Sequence, residues 1–136
     1  KNPITAAVLK TLVLQYKEIK SNLNWQVFNS CSIDWLNKQD KPCASHIYLD
    51  PFFQKKKTAL PKNTMQWLQA LNTPPTPSNE KNLFTTAYQH ASERVIVKRD
   101  KHADFIDKQR PNQGSITQKT SRFDCYKPYK NTKNLS

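Results

Sequence analysis

Glycine is almost missing from this chain, with one residue in 136, where about 7% is usual. Type I′ hairpins, phosphate-cradling loops and nucleophile elbows lean on glycine for positive φ. The composition therefore argues against a glycine-loop enzyme. Asparagine, which tolerates left-handed backbone, occurs twelve times and can fill some of those positions; an AT-rich genome would add to the same bias. Long apolar runs are lacking too. The most apolar stretch, Ile4–Leu14, is broken by Thr5, Lys10 and Thr11 and is far too short to cross a bilayer, so no membrane partner is expected. It has no signal-peptide layout, and without an initiator Met the chain is compatible with removal of an N-terminal segment. Cysteine is scarce and odd in number: Cys31, Cys43 and Cys125, irregularly spaced. Free, partly buried thiols in a reducing compartment are the simpler reading, while a Cys31–Cys43 bridge would suit a secreted protein.

What is present divides at Thr73-Pro74-Pro75-Thr76-Pro77. Three prolines fix φ, remove backbone donors and push the preceding residues towards extended conformations. Hydrophobic residues make up only 36% of the chain, and mean hydropathy is −0.84. Most of the aliphatic residues and all three tryptophans precede the prolines. A core spanning the whole chain looks underfunded, since a domain of this size buries about two-thirds of its unfolded surface. The expected fold is mainly α: a small irregular helical head over 1–72, a proline hinge, then a short helix and a long extended, non-regular arm over 73–136. Net charge is +12. It is evenly spread: ten Lys/Arg against four Asp/Glu in 1–72, twelve against six in 73–136. Each part is thus +6, which suggests a whole chain lying against an acidic partner.

Asn2-Pro3 opens a helix as N-cap and first-turn proline. Ile4, Val8, Leu12, Tyr16, Ile19 and Leu23 then recur at helix period, giving a helix over roughly Pro3–Ser21. Residues 24–53 read as irregular but anchored by large apolar side chains. Ser32–Leu36 fits a short helical turn, and Lys41-Pro42 and Asp50-Pro51 read as breaks. Lys55-Lys56-Lys57 is a solvated knob, and Met65, Trp67, Leu68 and Leu71 suit a short helix ending at Asn72. Beyond the hinge, Ser78 is expected to cap a helix from about Asn79 to Ala91. Val95-Ile96-Val97 is a short β-prone run, and Lys101–Gln109 is read as a helical turn or two. From Arg110-Pro111 onward neither period is visible.

No constellation points to a reaction, so no catalytic residue, cofactor or metal is expected. Cys31, Cys43 and His46 lack the paired close spacings of a zinc site. Asp100, Asp104 and Asp107 around His102 would share one helical face, but flanking Lys98, Arg99 and Lys108 make solvated surface the plainer reading. More suggestive is the interleaving of cations and aromatics in Lys119–Lys130. Such residues stack on unpaired bases while tracking phosphates, or plug into pockets of an acidic protein.

In style, Leu83-Phe84-Thr85-Thr86-Ala87-Tyr88 and Ser121-Arg122-Phe123-Asp124-Cys125-Tyr126-Lys127-Pro128-Tyr129 resemble the extended segments of small inner proteins of ciliary doublet microtubules. That resemblance implies a non-enzymatic structural component in the cytoplasm of a cilium, lying along tubulin and neighbouring inner proteins. Phe84, Tyr88, Arg122, Phe123, Tyr126, Lys127 and Tyr129 would form the partner-binding surface. The alternative is a basic nucleic-acid-binding protein, such as a peripheral ribosomal protein of the mitochondrial matrix.

Overall fold

A computed structural model of the chain describes residues 3–19, 26–51 and 76–128. The chain divides into two units, Lys1–Cys31 with Pro61–Thr73, and Ser32–Leu60 with Pro74–Ser136. In the first, helix α1 runs Pro3–Ile19, as its periodicity predicts. Ile4, Val8 and Leu12 along its apolar stripe are 60%, 54% and 53% exposed. The expected helix ending at Asn72 and the Lys55–Lys57 knob lie outside the described residues, as do Pro74 and Pro75 of the hinge.

The second unit is built on a sheet, which corrects the mainly α expectation. Its elements are α2 (Ser32–Leu36), β1 (Ala44–Leu49), α3 (Pro77–His90), β2 (Ala91–Asp100), a 3-10 turn (Ile106–Lys108), β3 (Ser115–Thr117) and β4 (Ser121–Tyr126). The four strands lie in the order β1-β2-β4-β3. β1 and β2 are parallel, and β2/β4 and β4/β3 are antiparallel. A parallel pair needs a long crossover, and the chain between β1 and β2 contains α3. Thr76, not Ser78, caps that helix: its hydroxyl accepts the Asn79 N–H at 3.3 Å, with Pro77 in the first turn. α3 passes into β2 without a loop, and Ala91 is both the last cap and the first strand residue.

The expected extended arm is instead folded on itself. Phe84 and Tyr126, from either end of it, meet edge to face at 4.8 Å between ring centroids. Both are buried with Leu49, Ala87, Ala91, Val95, Val97 and Ile106. A fully buried side chain of this kind contributes about 1.5–3 kcal/mol, so a few aromatics replace the aliphatics that the arm lacks. Charge supplies the rest. Arg99 reaches Glu80 at 2.9 Å and the Asp104 carbonyl at 2.9 Å. Arg122 pairs with Asp124, donates to the carbonyls of Lys101 and Ala103, and stacks on Phe105 at 4.4 Å. Polar residues that read as surface are therefore the interior fastening of the loop after β2.

Candidate active site

β2 runs on to Asp100, past the end of its parallel pairing with β1. The ladder closes at Leu49↔Val97, and the next residue on each strand is charged. Asp50 precedes Pro51, which has no N–H to continue a ladder, so β1 stops there and leaves a carboxylate at its carboxyl end. Lys98 crosses to it, with Nζ–Oδ2 at 2.9 Å and side chains 39% and 49% exposed respectively. The hydrogen bond to Asp50 raises the Lys98 ammonium above its usual range, against a smaller opposing effect of desolvation. In open α/β sheets the crevice beyond the carboxyl ends of parallel strands is where ligands bind. A carboxylate beside an ammonium there can accept an N–H or O–H from a substrate and hold an anionic group next to it.

This edge went unrecognised in the sequence, where Asp50-Pro51 reads as a break. The available signal was two apolar runs, Ile47-Tyr48-Leu49 and Val95-Ile96-Val97, each followed at once by charge. Most of the expected partner-binding residues are placed elsewhere. Phe84 and Tyr126 are in the core, 3% and 2% exposed, and the Tyr126 hydroxyl donates to the Gln109 carbonyl at 3.1 Å. Burial, and then Asp124, push that phenol well above its usual range. Tyr88 donates to the Lys127 carbonyl at 2.8 Å, and the Lys127 N–H donates to Asn112 at 2.7 Å. The structure thus brings Phe84, Tyr88, Tyr126 and Lys127 together by packing. Arg122 belongs to the ion pair with Asp124, Phe123 lies on the opposite sheet face beside Lys98, and Tyr129 is outside the described residues.

The other sequence candidates do not converge. Asp100 ends β2 and accepts the His102 N–H at 3.2 Å. Asp104 sits in the following loop, and Asp107 has φ 50 and pairs with Lys81 at 2.9 Å. The helical face proposed for these carboxylates does not form. Cys31, Cys43 and Cys125 are free thiols, and no cluster able to hold a metal occurs among the described residues. No helix of the described residues is long and apolar enough to cross a membrane.

Residues 1–128 match the family described as "putative SAM-dependent methyltransferase". Three curated relatives carry the name ribosomal RNA small subunit methyltransferase J. That of Desulfotalea psychrophila is 43% identical over 81 residues, covering 59% of this chain and 30% of the relative. The Vibrio campbellii protein is 32% identical over an alignment of 139 residues, covering 93% and 52%. The Alteromonas mediterranea protein is 34% identical over 131, covering 93% and 49%. A crystal structure of a SAM-dependent methyltransferase from Neisseria gonorrhoeae is 30% identical, with a TM-score of 0.47 and coverage of 75% of this chain and 38% of that one. The chain spans about half the length of the curated relatives that it matches along most of its sequence.

These findings overturn the microtubule resemblance. A family of methyltransferases with bacterial relatives leaves no ground for a non-enzymatic component, for tubulin as partner, or for a cilium as location. The mitochondrial ribosomal alternative falls with them, although its nucleic-acid partner returns as the substrate in the relatives' name. The physical error lay in reading Arg122 and Tyr126 as parts of a docking strip when one belongs to an ion pair and the other to the core. The single glycine, Gly114, has φ +78 and nothing within 4 Å of the place of a Cβ. Its positive φ serves the turn before β3. His90, whose ring nitrogens are buried without partners, lies at the far end of β2 from Lys98. Among the described residues, the arrangement that bears on the reaction is the charged strand edge. By its match over nearly its whole length, the chain belongs to the putative SAM-dependent methyltransferase family.

Proposed function

We propose that this chain serves methyl transfer from SAM to RNA of the small ribosomal subunit, with the carboxyl edge of β1 and β2 forming the substrate side. The observation that carries this reading is the Asp50–Lys98 pair, open to solvent at the mouth of the parallel strands. Family membership and the relatives' name supply the reaction class and the substrate. An acceptor base bearing an N–H needs a group that takes the hydrogen bond and orients the nitrogen, and an ionised Asp50 is acceptor only. Lys98 then stands where a backbone phosphate can replace part of its contact with Asp50. The +12 charge supports an RNA partner through counterion release. Exposed Lys127 adds a cation suited to the same backbone.

The test is incubation of the purified protein with methyl-labelled SAM and small ribosomal subunits from a strain lacking the homologous enzyme. Label is expected in small-subunit rRNA, and its incorporation should fall sharply in Asp50→Asn. Absence of label, or label indifferent to Asp50→Asn, would overturn the reading.

A further inference from the structure

Two buried cations hold the loop that follows β2. Arg99 donates to the Asp104 carbonyl from Nε at 3.2 Å and from Nη2 at 2.9 Å. Arg122 donates to the Lys101 carbonyl at 3.1 Å and to the Ala103 carbonyl at 3.0 Å. Within the loop, the Ala103 N–H donates to the Asp100 carbonyl at 3.1 Å and the His102 N–H to the Asp100 carboxylate at 3.2 Å. The side chains of Arg99 and Arg122 are only 9% and 13% exposed. Desolvating two guanidiniums is costly, whereas water satisfies the carbonyls of an ordinary surface loop. What the arrangement yields is a fixed loop, Asp100–Asp104, with carbonyls turned inward and the side chains of Lys101 and His102 exposed.

We infer that this loop is a preformed contact for the ribose-phosphate backbone of the RNA substrate. Lys101 neutralises a phosphate, and His102 donates a ring N–H to a neighbouring phosphate or ribose oxygen. The inference rests on the RNA reading above and adds residues to it. Lys101 follows Lys98 by three residues, about 10 Å along the chain at strand rise, so RNA held at Asp50 and Lys98 can reach it with a nearby phosphate. The Lys101 N–H donates to the Thr120 carbonyl at 3.2 Å, which brings exposed Lys119 alongside, and cations from two turns line one rim. The carbonyl oxygens that would repel a phosphate are occupied by the guanidiniums beneath. A loop ordered before RNA arrives loses little further entropy on binding. The loop's own anions are Asp100, engaged by the His102 N–H, and Asp104 at its far end. An acidic protein would meet the same cations, but residues 100–104 include no large apolar side chain to anchor one.

The experiment is filter binding of the full chain to protein-free small-subunit rRNA over a series of salt concentrations. It compares the wild type with Lys101→Ala, the double variant Lys101→Ala with His102→Ala, and Lys38→Ala, an exposed lysine beyond α2. Lys101→Ala should reduce the slope of log affinity against log salt by about 0.7–0.9, the share of one phosphate. The double variant should weaken binding on the order of tenfold, while Lys38→Ala should stay within about twofold of the wild type. Circular dichroism establishes that the variants stay folded, and neither substitution touches the main-chain hydrogen bonds of the loop. Variants that bind as the wild type does, or a loss no greater than that of Lys38→Ala, would overturn the inference. So would a loss seen with intact small subunits and not with protein-free rRNA, which would place a ribosomal protein at the loop. A wild type that binds no RNA would overturn it together with the proposed function. Binding is read without SAM, so methyl transfer can fail while the loop contact stands, and the loop contact can fail while label is still incorporated.

Discussion

The Asp124 carboxylate, fully buried, is held by Arg122 from two residues earlier on the same strand, Nε–Oδ1 at 2.7 Å and Nη2–Oδ2 at 3.0 Å. Residues i and i+2 share one face of a strand, so this is a fork within a single face of β4. Ser115 of β3 donates to the same carboxylate at 2.6 Å. The neighbouring row places Arg99 directly opposite Arg122. Two cations abreast are tolerable only because Glu80 and Asp124 each neutralise one of them.

Removing the buried anion should therefore be costly. Asp124→Ala is expected to destabilise the fold by about 3–5 kcal/mol, because it strands a desolvated guanidinium. The paired change Arg122→Met with Asp124→Leu should cost clearly less than the sum of its parts. Urea unfolding of the two single variants and the double variant measures both quantities.

At the strand edge the balance is opposite. Asp50 and Lys98 are half exposed, so Asp50→Asn should shift stability by less than about 1 kcal/mol. If Asp50 orients the acceptor, the same change should lower methyl transfer about 10²-fold or more. Equal and small effects on both readouts would leave Asp50 an ordinary surface carboxylate.

Tyr126 predicts alkaline behaviour. Its phenol is raised above the ordinary value of 10.0 by burial first and then by Asp124. A folded value above the unfolded one means the contribution is complete below about pH 10 and is lost as pH rises beyond it. Tyr126→Phe should cost about 1 kcal/mol at neutral pH through the lost hydrogen bond to Gln109. That deficit should shrink above about pH 10, where the wild type alone loses stability. Denaturant titrations between about pH 7 and 12 would show the two curves converging, and parallel curves would contradict it.

His90 is fully buried with neither ring nitrogen bonded. An orphaned polar group costs about 1–3 kcal/mol relative to an apolar side chain of similar size. His90→Leu should therefore raise the unfolding midpoint, and His90→Gln should not. A destabilised His90→Leu would show that the imidazole has a partner in solution.

The sequence disclosed α1, α2 and α3 because each carries its own period or cap signal: the Ile4–Ile19 stripe, the Ser32–Leu36 turn, and the polar residues after the hinge, where Thr76 rather than the expected Ser78 is the cap. It hid the sheet for identifiable reasons. β1 and the centre of β2 are apolar on both faces, so neither alternates and the strand period is absent. β4 carries Arg122 and Asp124 on its buried side, which inverts the inside-outside rule and made it look like solvated arm. β3 is three residues long and fully exposed, too short to show a pattern. The strand-edge pair escaped notice because Asp50 and Lys98 are 48 positions apart, and only the crossover through α3 brings them together. Glycine poverty misled most directly. It counted against an enzyme, yet a chain with one glycine in 136 residues belongs to a methyltransferase family.

The helix-to-strand passage at Ala91 has a mechanical side. With no slack between α3 and β2, and with Glu80 clasping Arg99 across the gap, helix and strand form a hairpin bolted at both ends. A displacement of α3 along its axis would be transmitted to Lys98, which adjoins the bolt and faces the opposite way. Whatever pushes on the amino end of that helix therefore has a stiff lever reaching the mouth of the sheet.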